Sequence, residues 1–508
     1  MSISPPSSPS APFTPFTHLV RVCADLFQAA TSGLKIIHQN LSATPSPMGP
    51  SSNHIQQPRP HSHPLNTSST SEPTVTKVDF ICVGAGVTGL SATYAASQRQ
   101  NLTGVICLSI GKGDMSSMTG ERIFGLSHFK YEGQITALQD SEKIWRDLQT
   151  RFKKPFFFQP GLLIAAERGT PRAEQLAKAL ASQKTLQLKT VTNLSSFPFK
   201  PATADKFFLY FQPNGGYLNS DCALDALEHC AKENGAQILS EREVKTYEFS
   251  DELSDSNTKP YPIKLTAENK HTGQIEHYRC RYLALAKGPF MDQEAKKFNV
   301  QLLYRYQNPP QVEPKDTESR DLYSSMPPAV ISLFSGMNLY LFPFQEDSLY
   351  FRASAYPTES AKNPPFTPVT KHDPRVEPNE KEMRKLDSAL PKYITGFFDT
   401  YILGSVDVKE GAFCRVTYAM DKQGRRYDTP IIHAVHHPSD ISRTPPSDIS
   451  RMVYFISCAG ISFKFGPAHG EALVDMALTG QLPPSLSHCS LKKYNQWVLD
   501  NDLKTKQA

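Results

Sequence analysis

The sequence predicts an α/β fold built on a Rossmann-like nucleotide-binding unit, with a second, antiparallel sheet interleaved along the chain. Three observations carry this expectation. The apolar run Phe80–Val83 empties into Gly84-Ala85-Gly86-Val87-Thr88-Gly89, and a small-residue stretch reaching Ala96 follows as a helix. A second apolar run, Gly104 to Ile110, supplies the next strand of a β-α-β unit. Further on, Lys259–Leu285 alternates like a meander, and residues 291–409 are rich in aromatics and proline, as strands and loops of another sheet would be.

A G-x-G-x-x-G is informative only between a strand and a helix, which is where this one stands. Gly84 permits the tight turn, Gly86 lets a pyrophosphate approach the backbone, and Gly89 allows helix and strand to pack closely. Backbone N–H groups at the helix start, in the turn that holds Ala85, Val87 and Thr88, would supply the positive end that holds the phosphates. About 20 residues past the glycines such units place an acid for a ribose hydroxyl. Here Ser109 takes that place, which costs the bidentate, charge-assisted hold.

Composition sets bounds on function. The 508 residues are 39% hydrophobic and 20% charged, an ordinary globular balance. A net charge of +5 at this length gives no support to a nucleic-acid partner. Nine cysteines without C-x-x-C pairs suggest neither a zinc site nor a disulfide framework, so no metal is expected and reduced thiols are. No run of apolar residues is long enough to span a membrane. Residues 1–75 are crowded with Ser, Pro, Thr, Asn and His, and read as a disordered tail in which Thr17–Leu41 could form a transient amphipathic helix. The expected location is cytoplasmic, with organelle targeting by this tail as the alternative; Lys-Gln-Ala at the end is not a peroxisomal address.

Along the ordered chain, residues 131–155 have helical spacing through Leu138, Ile144, Trp145, Leu148 and Phe152. Phe157, Phe158 and Gly161–Ile164 read as strands of another sheet, and Phe211–Leu218 as a Pro/Gly turn before a helix over Ser220–Asn234. Leu339–Phe344 and Ser348–Ala353 form a hairpin around Gln345-Glu346-Asp347. Pro438-Ser-Asp-Ile-Ser-Arg443 recurs as Pro446-Ser-Asp-Ile-Ser-Arg451, a repeat too short to be a unit and expected to lengthen a surface loop.

Several motifs together resemble the flavin-dependent amine oxidases of the monomeric sarcosine oxidase and fungal fructosyl amino acid oxidase type. Met115–Phe124 resembles that family's flavin-wrapping loop, which implies cofactor contacts at Ser116, Ser117, Gly120 and Arg122. Val244 matches a position that holds adenine through backbone groups. Glu410-Gly-Ala-Phe-Cys-Arg-Val-Thr-Tyr-Ala-Met-Asp421 resembles the segment whose cysteine bonds to the flavin 8α-methyl carbon, with Cys414 at that position. Val453–Leu473 resembles the strand, glycine loop and C-terminal helix over the flavin pyrimidine. That match implies roles for Gly460, Ile461 and Lys464, although the loop is shorter by three residues. The hairpin lysine that promotes reaction with oxygen in the family has Phe351 in its register, with Arg352 one residue later, so Arg352 faces the flavin only if a bulge intervenes.

The resemblance implies a Rossmann-like FAD-binding domain (residues 76–155, 211–290 and 410–490) interleaved with an antiparallel-sheet (α+β) substrate domain (156–210 and 291–409), followed by a tail over 491–508. It implies FAD, covalently held through Cys414, and oxidation of a secondary amine to an imine with molecular oxygen giving hydrogen peroxide, in a monomer. Lys464 and Arg352 are the catalytic candidates. Gly125 stands where sarcosine oxidase-like members carry a carboxylate-gripping arginine, three residues past Arg122. A bulkier secondary amine, amino-acid-derived or from specialised metabolism, is therefore expected, lined by Phe124, Tyr350, Phe351 and Tyr356. The alternatives are an NAD(P)-dependent dehydrogenase and a catalytically degenerate flavin-binding protein.

Overall fold

The computed structural model describes residues 74–111, 120–125, 132–182, 189–190, 197–250, 261–307, 309–333, 335–345, 348–357, 369–371, 378–411, 414–436 and 449–507. The segment expected to be helical over Thr17–Leu41, Ser116, Ser117 and the first copy of the Pro-Ser-Asp-Ile-Ser-Arg repeat lie outside the described residues.

The first strand, β1 (Val75–Val83), buries its last six residues. Phe80 and Cys82 face one core and Ile81 and Val83 the other, so the run must be apolar throughout. It leads through α1 (Val87–Ser97) to β2 (Val105–Leu108), which lies parallel to it with Phe80 opposite Val105. The strand stops short of Ile110, which is 54% exposed. Asp79, buried, anchors the crossover by accepting from the Thr103 backbone N–H at 2.6 Å and its hydroxyl at 2.7 Å.

After β3 (Glu121–Phe124) comes α2 (Glu132–Phe152), which buries Leu138, Trp145 and Leu148 as its spacing predicts. Phe157–Phe158 does not join the substrate sheet. It pairs with Gly216–Asn219, which also carries β3, because Phe157 packs edge-on against Phe124 at 4.8 Å in the helix-side core. The chain crosses to a second sheet at β4 (Leu162–Glu167), followed by α3 (Pro171–Ser182). A helix over Ser220–Glu233, capped by the Asn219 side chain on the Cys222 N–H, returns it to the first sheet.

There the expected meander forms: β5 (Arg242–Phe249), Ile263–Asn269 and β6 (Ile275–Leu285) are successively antiparallel, and β6 lies parallel to β1. Then β7 (Gln301–Gln307) corrects a boundary. Residues 291–307 were expected in the substrate domain, but Met291, Val300, Leu302, Tyr304 and Tyr306 bury against Ile81, Leu283 and Leu285 under the nucleotide sheet.

The eight-stranded second sheet holds β4, β8 (Met337–Leu341) and β9 (Phe351–Pro357), with a helix over Glu380–Tyr401 on its back. β8 and β9 pair antiparallel, as the hairpin reading expects, and Glu346 and Asp347 lie outside the described residues. β10 (Cys414–Met420) pairs with β7, and β11 (Arg451–Ile456) completes the nucleotide sheet parallel to β6. The repeat's second copy thus ends in the core and not on a surface loop. Arg451 is buried, and its Nη1 donates at 3.0 Å to the carbonyls of Ala477 and Leu478 at the C-terminal end of α4 (Gly466–Thr479). The last residues also pack: α5 (Leu491–Gln507) buries Tyr494, whose hydroxyl donates to the Met420 carbonyl at 2.6 Å.

Candidate active site

A cavity of about 950 Å³ runs from the glycine turn after β1 to the loop before α4. Its first end is lined by Gly84, Ala85, Gly86, Val87 and Thr88. Gly84 has φ +108°, and a Cβ on it would lie 2.3 Å from the Ala286 carbonyl oxygen. Gly89 stands back from the lining, where a Cβ would fall 1.8 Å from the Gly84 oxygen, so its part is helix–strand packing. Gly86 caps α1 without any side-chain bond, and the helix has no acid in its first turn. The positive end of the α1 dipole therefore faces the cavity, an arrangement that suits a pyrophosphate.

Ser109 lines the cavity at the end of β2, and its Oγ accepts from the Gly111 N–H at 3.2 Å. Val244 also lines it, beside a register break between Val244 and Thr246 that turns this stretch of β5 toward the space. The sequence reading missed its neighbours Arg242, Glu243 and Lys245, which line the same wall. Arg242 is held there by Glu276 at 3.0 Å, a partner only the meander brings alongside.

Gly120, φ +72°, is not among the lining residues but lies against Arg352, which is: a Cβ there would be 2.8 Å from Nη2 of the guanidinium. Arg352 needs no bulge to reach this place. The ladder from Met337 opposite Pro357 to Leu341 opposite Ala353 runs without a break, and Phe351, Ala353 and Ala355 turn into the core while Arg352, Ser354 and Tyr356 line the cavity. The register that put Phe351 toward the flavin is corrected by this alternation, and Tyr350 lies 41% exposed. Nη1 of Arg352 is buried and has no hydrogen-bond partner among the described residues. Phe124 likewise belongs to the helix-side core.

Lys464 lies at the far end, 8% exposed. Burial, and secondly the Arg172 charge, push its ammonium down to about 7 from an ordinary 10.5. Its backbone is fixed from the helix side: Trp145 Nε1 donates to the Lys464 carbonyl at 3.4 Å, and the Trp145 ring stacks on Phe463 with centroids 6.0 Å apart. Arg122 sits on this assembly, its guanidinium carbon 5.7 Å from the Phe463 centroid, while Nη1 donates to the Glu121 carbonyl.

The shortened glycine loop is wound tightly. Ser457, Ala459 and Gly460 all have φ between +48° and +70°. For the two non-glycine residues this is strain of about 1–2 kcal/mol each, offset by Thr417 on β10. Thr417 Oγ1 accepts from the Cys458 N–H at 3.1 Å, and its carbonyl accepts from the Ala459 N–H at 2.9 Å and the Ser457 hydroxyl at 3.0 Å. Gly460 and Ile461 line the cavity next in line. Cys414 begins β10 opposite Gln307, and the residues after it, Arg415, Val416 and Thr417, line the cavity. Thr417 was not found from sequence, since a threonine on a strand carries no signal of what it will face.

A nucleotide turn at one end and a buried cation over a helix N-terminus at the other describe a site for a long dinucleotide with room beside it. The match to known families decides which: residues 79–476 match the family described as FAD dependent oxidoreductase. The chain belongs to that family. It is 22% identical over 427 residues to a monomeric sarcosine oxidase of Bacillus sp. (strain B-0618), covering 82% of this chain and 96% of that protein. Among solved structures it superposes on NikD, described as an unusual amino acid oxidase essential for nikkomycin biosynthesis, with a TM-score of 0.59 at 16% identity, covering 82% of this chain and 98% of that one. A modified fructosyl peptide oxidase from Aspergillus nidulans gives 0.56 at 15%, covering 82% and 93%. This FAD-dependent oxidoreductase therefore has the amine and amino acid oxidase type of fold, and the NAD(P) dehydrogenase alternative is not favoured. No helix among the described residues is long and apolar enough to cross a membrane.

Proposed function

We propose that this flavoenzyme oxidises a secondary amine to an imine and passes the electrons to oxygen, giving hydrogen peroxide, as a monomer. The observation that carries the reading is the single cavity that joins the glycine turn at Gly84 to Lys464 and Arg352 across the two sheets. FAD bound there supplies the two-electron acceptor for oxidation of the carbon–nitrogen bond.

The protein's residues position and polarise. Gly84, Ala85, Gly86, Val87 and Thr88 receive the pyrophosphate on backbone N–H groups, with Gly89 keeping helix and strand close. Ser109 offers one hydrogen bond to a ribose hydroxyl, and Val244 holds adenine by its backbone. Gly120 and Arg122 enclose the ring system, and Gly460 and Ile461 approach it by their backbone. Lys464 and the N-terminus of α4 stabilise negative charge developing at the pyrimidine edge. Arg352 faces the reacting side as a fixed cation where the related oxidases present a lysine to oxygen. Cys414 is the proposed covalent anchor, supported by its place one residue ahead of cavity-lining Arg415.

The test is direct. Purified protein is expected to be yellow, to keep its flavin through acid precipitation, and to lose it in that step when Cys414→Ala is made. Anaerobic addition of a panel of secondary amines should bleach the flavin, and air should restore it with hydrogen peroxide. Colourless protein that takes up no FAD overturns the reading, and a yellow protein bleached by no amine reduces it to a catalytically degenerate flavin-binding protein.

A further inference from the structure

Gly120 and Arg352 meet from different sheets, and the main chain of each is pinned. The Gly120 carbonyl accepts at 3.0 Å from the N–H of Ser220, a fully buried residue that opens the helix over Ser220–Glu233. The next residue, Glu121, lies opposite Asn219, the cap of that helix. On the other side the Arg352 carbonyl accepts from the Phe342 N–H at 3.1 Å, and Gln311 lies opposite Arg352 on the neighbouring strand. Its neighbours Phe351 and Ala353 are buried in the core under the second sheet. Neither backbone can back away, so any adjustment between the two falls on the long side chain of Arg352.

The contact has a defined shape. A Cβ on Gly120 would lie 2.8 Å from Nη2, 2.9 Å from Cζ and 2.9 Å from Nη1. A point almost equally far from three atoms of a planar fork, at more than twice the length of its bonds, stands over the face of the fork and not at its rim. The guanidinium is therefore laid flat against Gly120, closer than any residue with a side chain would permit. Because all the donors of a guanidinium lie in its plane, resting the face on Gly120 sets the directions in which they point. Nη1, at that rim, is buried and has no hydrogen-bond partner among the described residues.

We infer that Gly120 is a positioning residue for Arg352: the glycine ahead of β3 lays the guanidinium flat and fixes the direction of the charge that Arg352 presents to the cavity. Arginine is required for this, because the orienting contact acts on a planar fork, which the ammonium of a lysine lacks. The inference rests on the flavoenzyme reading and deepens it. A cation held in one pose near the bound flavin favours the reduced, more negative form over the oxidised one. Gly120, which donates nothing and lines no part of the cavity, thereby sets the reduction potential through Arg352.

Four flavin-loaded proteins are compared by redox titration against a reference dye: the unaltered chain, Gly120→Ala, Arg352→Lys and the double variant. Gly120→Ala should push the guanidinium aside and lower the ratio of reduced to oxidised flavin at a fixed dye potential by about threefold or more. Arg352→Lys keeps the charge without the fork and should move the ratio the same way. In the Arg352→Lys background Gly120→Ala should add little, since no fork remains for the methyl group to displace. Backbone strain at the positive φ is the same in both backgrounds, so equal shifts in the two mark a local strain effect and overturn the inference. A yellow Gly120→Ala protein with an unmoved ratio overturns it as well. If Gly120→Ala does not fold, Arg352→Lys decides, and a ratio it leaves unchanged is the overturning result. A protein that takes up no FAD ends the flavoenzyme reading and this inference with it. One that is bleached by no amine yet shows the coupling supports the role of Gly120 while ending the oxidase reading.

Discussion

Thr417 adds no charge to the cavity, yet three groups of the loop over 457–459 rest on it. Replacing it by valine keeps the shape and strands the Cys458 N–H, which should cost about 1–3 kcal/mol. Thermal melts of Thr417→Val should show the loss, together with a faster release of FAD, since Gly460 and Ile461 follow directly. Lys464 gives a second outcome. It is protonated below about 7 and neutral above, with Arg172, Arg122, Arg352, Glu121, Tyr340 and Tyr356 lining the same cavity. The unfolded lysine, near 10.5, binds a proton the native one releases, so the native state should gain stability as pH rises from about 7 to 10.5, a gain that Lys464→Met should flatten in denaturant titrations. Lys464 was legible because Phe463 and Phe465 flank it within a longer match. That Arg172 lines the same cavity was not, because its place depends on where α3 comes to rest.

Two helices set the opening of the site. α1 and α4 cross at Gly466 and Gly470, one turn apart, where Cβ atoms would lie 2.4 Å from Val87 Cγ2 and 2.4 Å from the Ser91 carbonyl carbon. Arg99 on the loop after α1 ties the pair together, 2.5 Å from Glu471 and 3.0 Å from Asp475. Because both helices begin beside the cavity lining, at Val87 and just after Lys464, a shift between them would displace both parts of the wall. Gly470→Ala should destabilise by about 1–3 kcal/mol through overpacking and weaken FAD retention, read by calorimetry and by flavin content after gel filtration. The strand–glycine–helix unit was readable in sequence, since each glycine there answers a local steric demand. The partner helix was readable only as a helix, and nothing short of the fold shows that its glycines meet α1.

Across the whole molecule, what sequence could not show is pairing between distant segments. The alternation in β9 was visible, but its register against β8, and hence the direction of Arg352, depends on a ladder closed by a loop. Residues 291–307 looked like substrate-sheet material because they are aromatic; their partner, β10, lies more than a hundred residues on. α5 looked like a tail because one buried tyrosine on a polar helix is a faint signal. The nucleotide unit, by contrast, is coded within about thirty residues of β1, and that half of the architecture was plain from the start.

The late closure of the nucleotide sheet also bears on how the protein is made. β6 pairs with β11 through Tyr282–Leu285 and Arg451–Tyr454, with some 165 residues between them. At about 5–20 residues per second, the ribosome takes on the order of ten seconds or more to deliver β11 after β6 has emerged. Throughout that interval an apolar strand edge, Tyr282-Leu283-Ala284-Leu285, stands open beside a formed β-α-β unit. Nascent chains should therefore need shielding by a chaperone, and chains ended before Arg451 should pellet as aggregates in a cell-free translation from which the full chain is recovered in the supernatant. The same delay leaves the cavity without the wall that follows β11, from Cys458 to Lys464, until that stretch has been synthesised.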